Sequence, residues 1–214
     1  SIFLAGFLNG FIMPTVLASF MGARTAANNR SASSARRPCE SDRAQMRGLV
    51  AFTARSLVTA HPRPFGASIV HTDSGRLLLR ALNRVAQEKD PTSHAEVRAV
   101  RLATRRLGRV SLVGFTLYTT CEPCPMCMSA ILWARLDCVV YGATIQDANR
   151  HCNQIRIPAA EVVARGDMPC SVVGPLLRKE CYGLFTQPNM LRAFATWTTR
   201  KTARHRGGIA RSNY

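Results

Sequence analysis

Lysine is nearly missing from this chain. Only Lys89, Lys179 and Lys201 occur in 214 residues, so the 29 basic side chains are overwhelmingly arginine. Acids are scarce as well, 12 in all, which leaves a net charge of +17. A charge of that size suits a polyanion such as tRNA, and the tail from Leu191 carries Arg192, Arg200, Lys201, Arg204, Arg206 and Arg211 without one acid. A GC-rich coding sequence accounts equally well for arginine in place of lysine. Aromatic residues make up 7% of the chain and form no stripe, which argues against a stacking platform for single-stranded nucleic acid. No internal repeat is present, so solenoids and propellers are excluded.

Charge is also absent from Ile2 to Met21, a mostly apolar stretch broken by Gly6, Asn9, Gly10 and Pro14. Those breaks disfavour a membrane anchor. The stretch resembles the apolar part of an export signal, followed by small residues at Ala23–Ala27 and a Ser/Ala/Arg linker towards Pro38. Residues 1–45 are therefore expected to be a leader and linker, 46–195 a folded domain, and 196–214 a basic tail. A working signal places the protein in the periplasm; a leader without function leaves it cytoplasmic. About 150 residues suffice for one domain with its own core.

What the chain does contain is His94-Ala95-Glu96 and, thirty residues on, Pro123-Cys124-Pro125-Met126-Cys127. One imidazole and two thiols at C-x-x-C spacing suit Zn²⁺, and three protein ligands leave a tetrahedral position for water. Glu96 is a carboxylate placed to move protons rather than to complete the ligand shell. A redox pair or a closed structural site uses the same thiols, but the joint pattern matches the H-x-E…P-C-x-x-C signature of zinc-dependent nucleobase deaminases. Local periodicity sets His94 and Glu96 at the start of a helix that Thr92 or Ser93 can cap. The strand Phe115–Thr119 leads to a second helix with Pro125 at its first position. Cys124 and Cys127 then lie at a helix N-terminus, where the dipole favours thiolate. Of the eight cysteines, those at 39, 121, 138, 152, 170 and 181 read as core or loop residues, with Cys121 the nearest competing ligand.

The run from Asn83 through Asp90-Pro91-Thr92-Ser93-His94-Ala95-Glu96, with Leu117-Tyr118-Thr119-Thr120-Cys121-Glu122-Pro123-Cys124-Pro125-Met126-Cys127, resembles the cytidine deaminase-like superfamily. Within it the chain is similar to the branch of guanine deaminases and bacterial tRNA adenosine deaminases. Ala130–Arg135, Val139–Gly142 and Arg63-Pro64-Phe65-Gly66-Ala67 carry the same likeness, which extends over residues 46–195. The resemblance implies an α/β fold, a three-layer α/β/α sandwich with a mixed five-stranded sheet. The residues agree. Arg43–Thr59 reads as a helix, Gly66–His71 and Arg76–Leu82 as strands paired around Asp73-Ser74-Gly75, Cys138–Gly142 and Cys170–Val173 as strands, and Pro158–Arg165 and Pro175–Phe185 as helices.

The resemblance further implies one Zn²⁺ per chain on His94, Cys124 and Cys127, with Glu96 as the catalytic proton shuttle. Asn83 stands where this branch binds substrate, Phe65 is a candidate pocket wall, and the Ala95 and Cys124 N–H groups are placed to orient substrate. The expected reaction is hydrolytic deamination of a nucleobase or nucleoside, a purine, with tRNA adenosine as the alternative substrate and a homodimer as the assembly. A non-catalytic, zinc-stabilised RNA-binding module is the rival reading, and Glu96 argues against it. Asp147-Ala148 matches guanine deaminases, but His151-Cys152-Asn153-Gln154-Ile155 replaces the acidic residues that follow in them.

Overall fold

The computed structural model describes residues 36–196. Most of the expected leader and nearly all of the basic tail lie outside the described residues. Helix α1 (Glu40–Ala54) starts six residues before the expected boundary at 46. The reason is a capping box: the Cys39 N–H donates to Asp42 Oδ2 at 2.8 Å, fixing the first turn. Its buried stripe of Asp42, Met46, Leu49 and Thr53 follows helical spacing onto the sheet.

Strands β1 (Gly66–His71) and β2 (Leu77–Leu82) form the expected hairpin. The short α2 (Val85–Glu88) leads to α3 (Ala95–Leu107), which ends where Gly108 adopts the left-handed φ of 63° that glycine takes without strain. Strand β3 (Phe115–Cys121), α4 (Pro125–Trp133), β4 (Cys138–Ala143), α5 (Ile145–Asn149), α6 (Ala159–Gly166), β5 (Ser171–Val173) and α7 (Arg178–Gly183) follow. Helical residues 188–196 complete the described chain. The expected helix over Pro175–Phe185 is shorter: Leu177, its N-cap, has a left-handed φ of 49°, so helix begins only at Arg178.

The sheet runs β2-β1-β3-β4-β5. β1 is antiparallel to β2 and β3, whereas β3–β4 and β4–β5 are parallel. Every residue of β3 is buried, as a central strand covered on both faces requires. One core contains α1 residues Met46 and Leu49 with Phe185, Met190 and Phe194; the other contains α3 alanines with Met128, Ile131 and Ala159. Helices thus cover both faces of a mixed five-stranded sheet, the expected three-layer α/β/α architecture. Among the described residues no helix is long and apolar enough to cross a membrane.

Candidate active site

His94 and Cys124 are the N-cap residues of α3 and α4. Neither side chain caps its own helix, so both are left for other partners. Capping by Thr92 or Ser93, expected from the sequence, does not occur: Thr92 donates to Asp90, and Ser93 donates to Glu88 and Asp90. Cys127, one turn into α4, points back towards the helix N-terminus as side chains on a helix do. The Cys124 and Cys127 Sγ atoms lie 3.7 and 3.5 Å from His94 Nδ1, and the three ligand atoms are all within 4.8 Å of one another. A tetrahedron with Zn–S of ~2.3 Å and Zn–N of ~2.0–2.1 Å has an N···S edge of about 3.6 Å. The donor set therefore fits zinc in both chemistry and spacing. Cys121, the competing thiol, is instead directed at the Thr144 carbonyl at 3.8 Å and stands outside the group.

The Cys124 thiol is drawn down to about 4, foremost by a hydrogen bond from the Cys127 thiol, with burial opposing and His94 assisting. The same bond, reinforced by burial, pushes Cys127 upwards. His94 is raised chiefly by its bond with Cys124. Glu96, the second residue of α3, is only 6% exposed and is held by the Thr119 hydroxyl, which donates to Oε1 at 3.3 Å. Burial raises its pKa against the opposing pull of His94. A carboxylate in that state accepts a proton readily.

His94, Glu96 and Cys124 open onto a cavity of about 960 Å³ lined also by Phe65, Asn83, Glu122 and residues 152–155. Asn83 follows β2, and its Oδ1 accepts the Val85 N–H at 3.2 Å. It thus makes the turn into α2 and lines the cavity as well. Phe65 is both wall and core, its ring 5.3 Å from that of Phe185. Ala95 is fully buried among the α3 alanines and does not line the cavity. Asp147 stays away from it too. Its carboxylate caps α5 at the Thr144 N–H and takes a bidentate pair of bonds from Arg178 at 2.7 and 2.8 Å. Glu180, Tyr182 and Phe185 are not lining residues.

Glu122 escaped the sequence reading. It is 8% exposed, and its two oxygens accept the first N–H groups of α5 (Ile145, 3.1 Å) and α6 (Ala159, 3.0 Å). An acid wedged between Cys121 and Pro123 was the available signal, but nothing local told which helices it would meet.

The fold and the donor set together define a class: an α/β/α protein with an open imidazole–dithiol metal group and a buried carboxylate beside it. More particularly, the chain belongs to the cytidine and deoxycytidylate deaminase family, whose zinc-binding region matches residues 39–143. The tRNA-specific adenosine deaminase of Bacillus subtilis (strain 168) is 34% identical over 123 residues, 58% of this chain and 73% of that protein. Guanine deaminase of the same organism is 49% identical over 85 residues, 40% of this chain and 53% of that enzyme. The chain thus matches about half the length of that relative. The structure of a guanine deaminase from Nitrosomonas europaea superposes with a TM-score of 0.61 at 23% identity, covering 77% of this chain and 89% of the other, and has the same fold.

Proposed function

We propose that this protein is a zinc-dependent hydrolytic deaminase that releases ammonia from a nucleobase or nucleoside of the purine type. The observation that carries the reading is Glu96, a buried carboxylate beside three candidate metal donors in the lining of a cavity of about 960 Å³. His94, Cys124 and Cys127 would hold one Zn²⁺ per chain. When bound, zinc supplies a water acidified towards neutrality as the nucleophile. Glu96 would take one proton from the attacking water and deliver it to the ring nitrogen, then carry the second, from the hydroxyl added at carbon, to the departing amine. A C–O bond forms, the C–N bond breaks, and ammonia leaves. Burial of Glu96 suits both halves of this shuttle, since the neutral acid must persist until the amine departs. Asn83 and Phe65 are the groups best placed to bind the base.

A second reading, deamination of adenosine in tRNA, is supported by the likeness to the Bacillus subtilis tRNA-specific enzyme and by the net charge of +17. The resemblance also suggests a homodimer, which sedimentation of the purified protein would report.

The test is ammonia release by the zinc-loaded chain from guanine, adenine, cytosine, their nucleosides and a tRNA anticodon stem-loop. Turnover of a free base or nucleoside supports the first reading, and turnover of the stem-loop alone supports the second. Glu96→Gln should retain one zinc while losing roughly 10²–10⁴-fold in rate, the usual weight of general acid–base catalysis. Full activity in that variant would refute the mechanism. Zinc binding with no turnover of any substrate would favour the RNA-binding module.

A further inference from the structure

The cavity carries a charge pattern that base deamination does not use. Arg63, in the segment entering β1, lines it, and the Arg63 Nε is buried with no hydrogen-bond partner among the described residues. This arginine is held in place. The buried Ser56 hydroxyl donates to the Arg63 carbonyl at 2.6 Å and accepts its N–H at 3.2 Å. Its charged neighbours are Arg84 and Arg98, so its surroundings repel rather than neutralise it; burial and these two arginines draw its pKa below the ordinary value.

Among the described residues, the carboxylates of this region are engaged elsewhere. Glu88 is engaged by Ser93, Arg98 and Arg84. Glu122 caps two helices, and Glu96 stands beside the metal donors. Arg63 takes part in none of the ion pairs among the described residues. A second arginine, Arg192 on helical residues 188–196, lines the same cavity and has a neutral partner, the Asn189 side-chain oxygen. A guanidinium N–H sealed from water without an acceptor is costly, and the planar fork of donors matches phosphate oxygens. The volume of about 960 Å³ lies at the upper end of ligand pockets, larger than a free purine needs.

We propose that Arg63, assisted by Arg192, is an anion site for the phosphate of a phosphorylated nucleoside whose base reaches the Glu96 end of the cavity. The proposal rests on reading the cavity as a deaminating site and sharpens its substrate class. The phosphate can belong to a free nucleoside 5′-monophosphate or to a phosphodiester within RNA, and both present the same oxygens to the guanidinium.

The test is calorimetric binding to the full, zinc-loaded chain at low salt, using adenosine and guanosine, their 5′-monophosphates, and the corresponding dinucleoside monophosphates with an internal phosphodiester only. Binding of one phosphorylated ligand about 10- to 100-fold tighter than its nucleoside is expected, the weight of a charge-assisted pair. A gain confined to the 5′-monophosphate identifies a free nucleotide, and a gain with the internal phosphodiester identifies RNA. Arg63→Gln should bring the ratio close to one, and Arg63→Lys should restore part of it. Arg192→Gln, at an exposed position, should lower the ratio, and it provides a second probe if Arg63→Gln does not fold. Equal binding with and without phosphate, or a ratio intact in both Gln variants, overturns the proposal. Ammonia assayed on the same samples separates the two readings. A phosphate preference without ammonia removes the deaminase reading and keeps the anion site; ammonia without a phosphate preference does the reverse.

Discussion

Two thiols and an imidazole come within 4.8 Å of one another because His94 and Cys124 are the N-cap residues of α3 and α4 and Cys127 lies one turn into α4. The Cys124 thiol is drawn down by its bond from Cys127, a direction that favours the thiolate a metal requires. Cys124→Ala and Cys127→Ala should each abolish stoichiometric zinc and lower the melting temperature, because metal affinity is part of the folding free energy. Metal analysis by plasma emission checks the first outcome and calorimetric melting the second. A full equivalent of zinc in either variant would sink the ligand assignment. Cys121 differs from them through its position: at the end of β3 it is buried and directed at the Thr144 carbonyl, and burial pushes its thiol well up. Cys121→Ser should therefore leave zinc content unchanged.

At the scale of elements, Glu122 joins pieces of chain that are far apart in sequence. Its two oxygens serve two helix starts, satisfying N–H groups that helix geometry leaves without partners. In Glu122→Gln the amide has one oxygen and one NH₂, so a buried N–H would face another donor. We expect a loss of about 1–3 kcal/mol, the cost of one unsatisfied buried group, seen as a lower urea midpoint with little change in slope. An unchanged midpoint would mean that both helices start without this carboxylate. β4 and α7 meet just as closely. A Cβ on Gly142 would press on the Cys181 side chain and lie 3.0 Å from the Thr120 carbonyl, so only glycine lets α7 settle there.

Across the whole molecule, one buried acid ties a helix layer to the sheet. Asp42 in α1 accepts the Tyr118 hydroxyl of β3 at 2.7 Å and pairs with Arg36 at 3.0 Å. Burial works to raise the Asp42 pKa, but the bonds from Arg36, the Cys39 N–H and Tyr118 outweigh it and hold the carboxyl below its ordinary range. Its folded pKa being depressed, its stabilisation is complete above the unfolded value of ~3.9 and is lost as pH falls through the folded one. Tyr118 behaves in the opposite sense. Burial, then Asp42, raises its pKa, so its contribution is present below ~10 and is lost as pH climbs through the folded value. Melting temperature followed from pH 2 to 11 should show a plateau with both limbs. Asp42→Asn should melt lower at pH 7 and show a shallower acid limb, and an identical acid limb would exclude Asp42 as its source.

The candidate site was legible in the linear sequence because the proposed ligands and proton carrier come from short, fixed spacings. His94 and Glu96 lie within one turn and Cys124 and Cys127 within another, each at a helix start marked by loop residues or proline. Strand order was not legible in the same way. The strands β1, β3 and β4 announce themselves by apolar, β-branched runs, but the parallel pairing of β3 with β4 and the antiparallel pairing with β1 depend on where intervening helices pack. The short helices α2 and α5 gave no periodic signal, since five residues or fewer cannot show one.

Sequence alone pointed to the candidate donors His94, Cys124 and Cys127 with Glu96 beside them through residue type and spacing, and to the layered class of fold through its family resemblance. Tertiary structure alone decided that Glu122 caps two helices, that Asp147 is drawn away to Arg178, that Ala95 sits behind the cavity rather than on it, and that the half-buried Arg63 has its Nε sealed in without an acceptor. Each is a matter of which distant groups share a small, poorly solvated space, where an unpaired charge or N–H is costly and a paired one becomes fixed.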